Sequence, residues 1–351
     1  GDLTITEAIN SIARPPSGDN TGNGGAVSIT TTNGDISITG GIDTYSDADG
    51  STGNAGAVTL TANNGSIATG IIQADPRATS AWNAGNGGAI TLTAKNAITT
   101  ETLLSGSRSE NSGNANNGGE ITLSSTDGNI KTGLIESKSF RESSDNTGYG
   151  WTVNLSAING NIEVNTINST SNGTGGIGGD VVVTTNKLFR ASGNFTDFNN
   201  VDSSISTAGA NGGGSLTIEH GGGQSNPFAE GDAITNGTAQ AITTGANNKI
   251  APKQSFKENS NQGNIQIISD ADQIVPQVQT PNQEEVETEE EIETEAELAS
   301  NSTTEQLETN TLVEEIEETS TEEFVEFVGD DNVQVKNVQI KTVKETQGTL
   351  N

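Results

Sequence analysis

Few side chains in this sequence are of a type that does chemistry. There is no cysteine among the 351 residues, which excludes disulfides, thiolate metal sites and thiol catalysis. The single histidine, His220, stands in Glu219-His220-Gly221 with no Ser or Cys nucleophile nearby. It therefore forms no catalytic dyad, and a surface or loop position is expected for it. Gly175-Gly176-Ile177-Gly178-Gly179-Asp180-Val181-Val182-Val183 matches the calcium nonapeptide pattern GGxGxDxUx. That pattern works in tandem, because each ion is shared between successive turns. Here it occurs once, so Asp180 is a weak candidate ligand and no metal or other cofactor is expected. Asp47-Ala48-Asp49-Gly50 has part of an EF-hand loop, but Tyr45 would occupy the first ligand position and no Glu stands at the twelfth. It reads as a polar loop.

The elements that must carry these residues follow from a repeat. A Gly-rich phrase precedes an alternating apolar pair seven times: Val27/Ile29, Val58/Leu60, Ile90/Leu92, Ile121/Leu123, Val153/Leu155, Val181/Val183 and Leu216/Ile218. The first members are spaced by 31, 32, 31, 32, 28 and 35 residues. An Asn-Gly or Asp-Gly turn then follows in several copies, as at Asn33-Gly34, Asn64-Gly65, Asp127-Gly128 and Asn159-Gly160; these dipeptides suit tight corners. A second apolar strand comes next (Ile36/Ile38, Ile67, Ile98, Ile130, Ile162/Val164), then a third beginning at Ile42, Ile71, Leu103, Leu134 and Ile167, then a wide polar loop. Each unit thus reads as three short strands, and none can close a core alone. Stacking on copies of itself is required. The expected fold is all-β: a right-handed parallel β-helix of about seven coils of ~31 residues, with Asn ladders at its corners.

Period-2 alternation then sets the outer face. Ser28/Thr30, Thr59/Thr61, Thr91/Thr93 and Thr122/Ser124 flank the inward residues, continued by Asn154/Ser156. Stacked coils would place them in two parallel ladders, a surface that resembles the Thr-x-Thr face of ice-binding β-helices. Thr also simply favours strands. Enzymes built on β-helices need clustered carboxylates, or Lys and Arg with calcium, on a strand face. The outward positions of these strands are Ser and Thr, so no catalysis by this segment is expected.

The units Gly24-Gly25-Ala26-Val27-Ser28-Ile29, Gly87-Gly88-Ala89-Ile90-Thr91-Leu92 and Gly118-Gly119-Glu120-Ile121-Thr122-Leu123, with Thr69-Gly70-Ile71-Ile72 and Thr132-Gly133-Leu134-Ile135 after them, resemble the repeats of bacterial filamentous-haemagglutinin-type proteins. The closest flavour is the cyanobacterial group, sometimes joined to a CHAT peptidase domain. The resemblance covers about residues 1–219, with Gly263–Ile268 as a degenerate last coil. It implies two-partner secretion through an outer-membrane partner, a secreted or cell-surface location, and surface glycan or protein ligands. The function expected from it is a stiff structural or adhesive stalk that displays loops. The alternatives are the β-helix arm of a CHAT-type peptidase protein, a polysaccharide-active β-helix enzyme, or an ice- or lattice-binding Thr-x-Thr face.

Charge sets the remaining bounds. The net charge is −31, and residues 259–335 hold 22 Asp and Glu with no Lys or Arg. A chain this acidic without a basic patch lacks the counterion-releasing surface that nucleic acid binding needs, and anionic membranes repel it for the same reason. No apolar run nears the ~20 residues of a membrane helix. The expected organisation is a β-helix over 1–219, an irregular or degenerate last coil over 220–270, an acidic disordered linker over 271–332, and a strand-like start of a downstream region over 333–351. Asp2-Leu3-Thr4-Ile5-Thr6 matches Asp35-Ile36-Ser37-Ile38-Thr39, so the sequence opens inside a repeat and further coils are expected before Gly1.

Overall fold

The computed structural model describes residues 1–15, 20–79, 82–110, 113–141, 148–231, 233–250 and 253–269, together with the strands Glu323–Val325 and Val335–Asn337. The expected acidic linker lies outside the described residues apart from the first of those two strands. The chain divides into two compact units, Gly1–Thr280 and Pro281–Asn351. In the second, Glu323–Val325 pairs antiparallel with Val335–Asn337, Phe324 opposite Lys336.

The first unit is a parallel β-solenoid with no helix among the described residues. One sheet takes a strand from each successive coil: Val27–Thr31, Val58–Ala62, Ile90–Ala94, Ile121–Ser125, Val153–Ala157, Val181–Thr185, Leu216–His220 and Ile265–Ile268. All are parallel and in register, so that Val27, Val58, Ile90, Ile121, Val153, Val181, Leu216 and Ile265 form one column. Side chains alternate across a strand, and the inward residues of each coil therefore meet their own counterparts one coil away, about 4.8 Å along the axis. A second sheet carries the column Leu3, Ile36, Ile67, Ile98, Ile130, Ile162 and Phe189. These two columns face each other across a core in which the Ile, Leu and Val side chains are almost wholly buried. Each such residue contributes roughly 1.5–3 kcal/mol of transfer free energy, which a single coil could not collect.

Two features of the repeat differ from the sequence reading. The third inward column takes Ile72 and Ile135, not Ile71 and Leu134, and from Ile130 to Glu136 the second and third strands are one: the column runs Ile9, Ile42, Ile72, Leu103, Ile135, Ile167, Ile205, Ile242. Ile71 instead faces solvent, 44% exposed. In both coils two apolar residues stand side by side after a glycine, and only the neighbouring coils decide which one turns inward. The wide polar loop also contains a fourth strand. Asp47–Ala48, Arg77–Ala78, Ser107–Ser109 and Ser139–Arg141 form a parallel sheet of their own. Its inward positions are mostly small or polar, which hides the strand from an apolar pattern: Ala48, Ala78, Ser107, Ser109 and Ser139 are buried, and so is Arg141 in the column of Ser109.

Small residues at the corner have a steric cause. A Cβ on Gly88 would lie 2.1 Å from the carbonyl oxygen of Gly56 in the coil before it, so the backbones of successive coils touch there. The corner carbonyls are satisfied from inside by buried hydroxyls: Thr44 Oγ1 donates to the Gly56 carbonyl (2.7 Å), Ser105 Oγ to Gly88 (2.5 Å), Ser137 Oγ to Gly119 (2.6 Å) and Ser169 Oγ to Trp151 (2.5 Å). Ladders of Asn run along the outside. The amide of Asn54 donates to Asn23 Oδ1 (2.9 Å), that of Asn86 to Asn54 Oδ1 (2.8 Å), that of Asn117 to Asn86 Oδ1 (3.2 Å) and that of Tyr149 to Asn117 Oδ1 (3.0 Å).

After Thr185 the coil widens. Phe189 takes the Ile position, and its ring stacks on Phe228 at 6.3 Å. Short antiparallel excursions enter the second sheet: Phe195–Thr196 with Asp202–Ser206, Phe228–Glu230 with Gln254–Phe256, and Ala241–Gly245 with Asn248–Ile250. The chain then rejoins the first sheet at Ile265–Ile268.

Candidate functional site

The hydroxyl-bearing residues stand in two rows on the outside of the first sheet. Ser28, Thr59, Thr91 and Thr122 are in register, as are Thr30, Thr61, Thr93 and Ser124. The rows continue through Asn154/Ser156, Val182/Thr184, Thr217/Glu219 and Gln266/Ile268, so a regular Ser/Thr surface spans four coils and then changes character.

The acidic candidates are spent on stitching coils together. Asp180 is exposed, and its Oδ1 accepts from the Ser215 amide at 2.6 Å and the Ser215 hydroxyl at 2.8 Å, one coil further on. Asp47 pairs with Arg14 at 2.7 Å, and Asp49 accepts from Thr79 Oγ1 at 2.7 Å. Among the described residues no group of three His, Asp or Glu converges as a metal site would require.

His220 is a correction. It is not on the surface: it ends the inward side of Leu216–His220 and is fully buried, 5.6 Å from the Phe228 ring. Its Nδ1 accepts from the Gly222 amide at 3.0 Å and lies 3.2 Å from Asn236 Nδ2, while Nε2 has no partner among the described residues. Burial disfavours the imidazolium and lowers the pKa to about 4. Nearby Glu230, also buried, is pushed up to about 7 by the same cause, against the pull of the Gln254 and Lys253 amides. The strand alternation that buries Leu216 and Ile218 also points His220 inward. That signal is present in the sequence.

The fourth-strand side holds a constellation that sequence reading missed. A pocket of about 200 Å³ is lined by Gln73, Asp75, Arg77, Arg108, Glu136 and Lys138 around Leu104 and Gly106. These residues come from three successive coils: Gln73, Leu104 and Glu136 share one column, while Arg77 and Arg108 share another with Asp47. Gly106 leaves the room, and its own Cβ would lie 2.8 Å from the Lys138 carbonyl oxygen. Around the pocket Lys138 pairs with Glu136 (2.8 Å), Arg77 and Arg108 with Glu110 (3.0 and 3.5 Å), and Lys138 and Arg108 both lie over the Phe140 ring. Asp75 Oδ1 is buried without a hydrogen-bond partner among the described residues. Burial, reinforced by Glu136, raises the Asp75 carboxyl to about 7, while Gln73 and Arg77 oppose the rise. A carboxyl raised by burial thus shares a pocket with the Glu136–Lys138 pair and two Arg side chains, a setting that suits a polar, hydroxyl-bearing ligand. The signal in the sequence was the ~31-residue spacing of the charges themselves, which apolar patterning ignores.

No family model, curated protein or solved structure matches this chain.

Proposed function

We propose that this solenoid is a structural stalk, a segment of a large secreted bacterial surface protein that displays ligand-binding surfaces along its flanks. One observation carries the reading: the unbroken column of eight parallel, in-register strands from Val27 to Ile268. Such a column buries its core against itself and presents every other face to solvent. The resemblance of the glycine-led repeats to filamentous-haemagglutinin-type proteins supports a surface location, passage through an outer-membrane secretion partner, and glycan or protein ligands. Antibodies raised against the solenoid should label intact cells that make the protein. Labelling only after the cells are permeabilised would overturn the surface reading.

The Asp75 pocket favours a second reading, that of a polysaccharide-active β-helix enzyme. Asp75, raised by burial, would act as the general acid, and Glu136 in the same pocket as the general base that activates a water at the glycosidic bond. New reducing ends should then appear when the protein is incubated with polysaccharides, and Asp75→Asn should abolish them. A full set of unchanged polysaccharides would leave the pocket as an ion-pair seam between coils.

A further inference from the structure

The outer corner of the first sheet repeats Asn-Gly-Gly or a close variant in coil after coil, and one coil breaks it. Four residues before the first inward residue of each coil stand Asn23, Asn54, Asn86 and Asn117, and then Tyr149. Two before it stand Gly25, Gly56, Gly88 and Gly119, then Trp151, then Gly179 and Gly214. The Asn ladder ends at this point: the Tyr149 backbone amide donates to Asn117 Oδ1, and the Tyr149 ring has no carbonyl oxygen to accept from the next coil. The corner carbonyl at Trp151 is kept by Ser169 as in the other coils, so the backbone is unchanged. What changes is the surface.

Tyr149 and Trp151 are two residues apart on an extended segment and so share a face. Both rings are 41% exposed, and Ile177 beside them is 40% exposed. The next coil lays Gly178 and Gly179 alongside, with Thr152 and Asp180 at the edge, and the hollow has a volume of about 280 Å³. Asp180 is held in place by Ser215 through Oδ1, so a fixed acceptor borders two exposed aromatic faces.

We propose that this shelf binds a neutral glycan chain, the sugar rings stacking on Tyr149 and Trp151 while hydroxyls bond to Asp180 and Thr152; this rests on the reading of the solenoid as a display structure. Aromatic side chains present a flat apolar face and, in Tyr and Trp, a polar tip, which matches a ring that is apolar on one side and hydroxylated at its rim. The alternatives fit less well. A polyanion meets Asp180 and a net charge of −31 with no Lys or Arg lining the hollow. An organic cation needs rings on several sides, and the lining holds only these two aromatics, both on the one segment that leads into Val153–Ala157. A protein interface needs upwards of roughly 1,000 Å², whereas three exposed apolar side chains adjoin here.

Calorimetric titration of the full chain with cellohexaose, xylohexaose and chitohexaose tests the proposal, with heparin and choline as the anionic and cationic probes. At least one neutral hexasaccharide should bind, and Trp151→Gly and Tyr149→Asn should each weaken it about tenfold or more. Both substitutions install the residue that other coils carry in the same column, so the solenoid should keep its thermal midpoint. In a Trp82→Phe background the fluorescence of Trp151, then the sole tryptophan, should shift on binding. Failure of all three sugars to bind up to about 10 mM, undiminished binding by Trp151→Gly, or binding of choline or heparin in their place would overturn it. Cell labelling reports on display and solution titration on the shelf, so either reading can fail without the other.

Discussion

Leu92 and Thr91 are adjacent, and their environments are opposite. Leu92 is fully buried between Leu60 and Leu123, whereas Thr91 lies on the outer row. Leu92→Asp would place an unpaired carboxylate in the apolar column, at a cost of several kcal/mol. Thr91→Asp should stay within about 0.5 kcal/mol, and urea midpoints of the two variants measure the difference. The buried ionisable groups set the response to pH. Glu230 titrates near 7 in the folded protein against about 4.5 unfolded, so its contribution to stability is present below pH 4.5 and lost as pH rises through 7. Asp75 has the same sign. His220, lowered to about 4, has the opposite one: its contribution is present above about 6.5 and lost as pH falls toward 4. Glu230→Gln should therefore stabilise the protein by up to about 3 kcal/mol at pH 8 and by little at pH 4.5. Thermal melts at the two pH values read this directly, and equal gains at both would refute the buried-carboxyl account.

At the level of the strand and its corner, polar contacts hold the coils in register as much as the apolar columns do. Asn86 both donates its amide to Asn54 Oδ1 and accepts from the Asn117 amide. Asn86→Ala leaves the Asn117 amide without its acceptor, with an expected loss of about 1–2 kcal/mol. Asn86→Asp keeps the acceptor and should lose less, as Asp180 serves Ser215 in the same manner; denaturant unfolding of the pair separates the lost bond from the lost bulk. The four-residue strand beginning at Ile265 rejoins the first sheet 49 residues after its partner Leu216, where the regular coils take 31 or 32. The register of the column, rather than the length of the connection, thus decides where a strand docks, and this fits the slow growth of loop-closure entropy with length.

Across the whole molecule, each coil touches only its neighbours, so stability is a sum of coil and interface terms. Amides in the middle strands Ile90–Ala94 and Ile121–Ser125 have paired coils on both sides. Their hydrogen exchange should be the slowest in the chain, slower than that of Ser260–Gln262, which pairs on one side only and antiparallel. Uniform exchange across the sheet would contradict the nearest-neighbour picture. The solenoid also spreads its chemistry by face: hydroxyl rows on the first sheet, a charged pocket by the fourth strand, and an aromatic shelf at one corner. Side chains in each of these sites come from two or more coils, so no site exists without the stack.

The sequence by itself determined the solenoid. A ~31-residue period with alternating apolar pairs admits few other folds, and alternation alone places Leu92 inward and Thr91 outward. Local pattern could not choose between Ile71 and Ile72, or between Leu134 and Ile135, since both members of each pair are apolar. It placed His220 on the surface or in a loop, although it ends a strand that carries it into the core. It passed over the Asp75 pocket, whose members are dispersed between residues 73 and 138. Stacking decided these points. Residues one period apart in the chain are brought to about 4.8 Å along the axis, so what a side chain meets is set by the coils above and below it. That is why Trp151, unremarked among glycines in sequence, becomes one wall of a binding shelf once the coils are stacked.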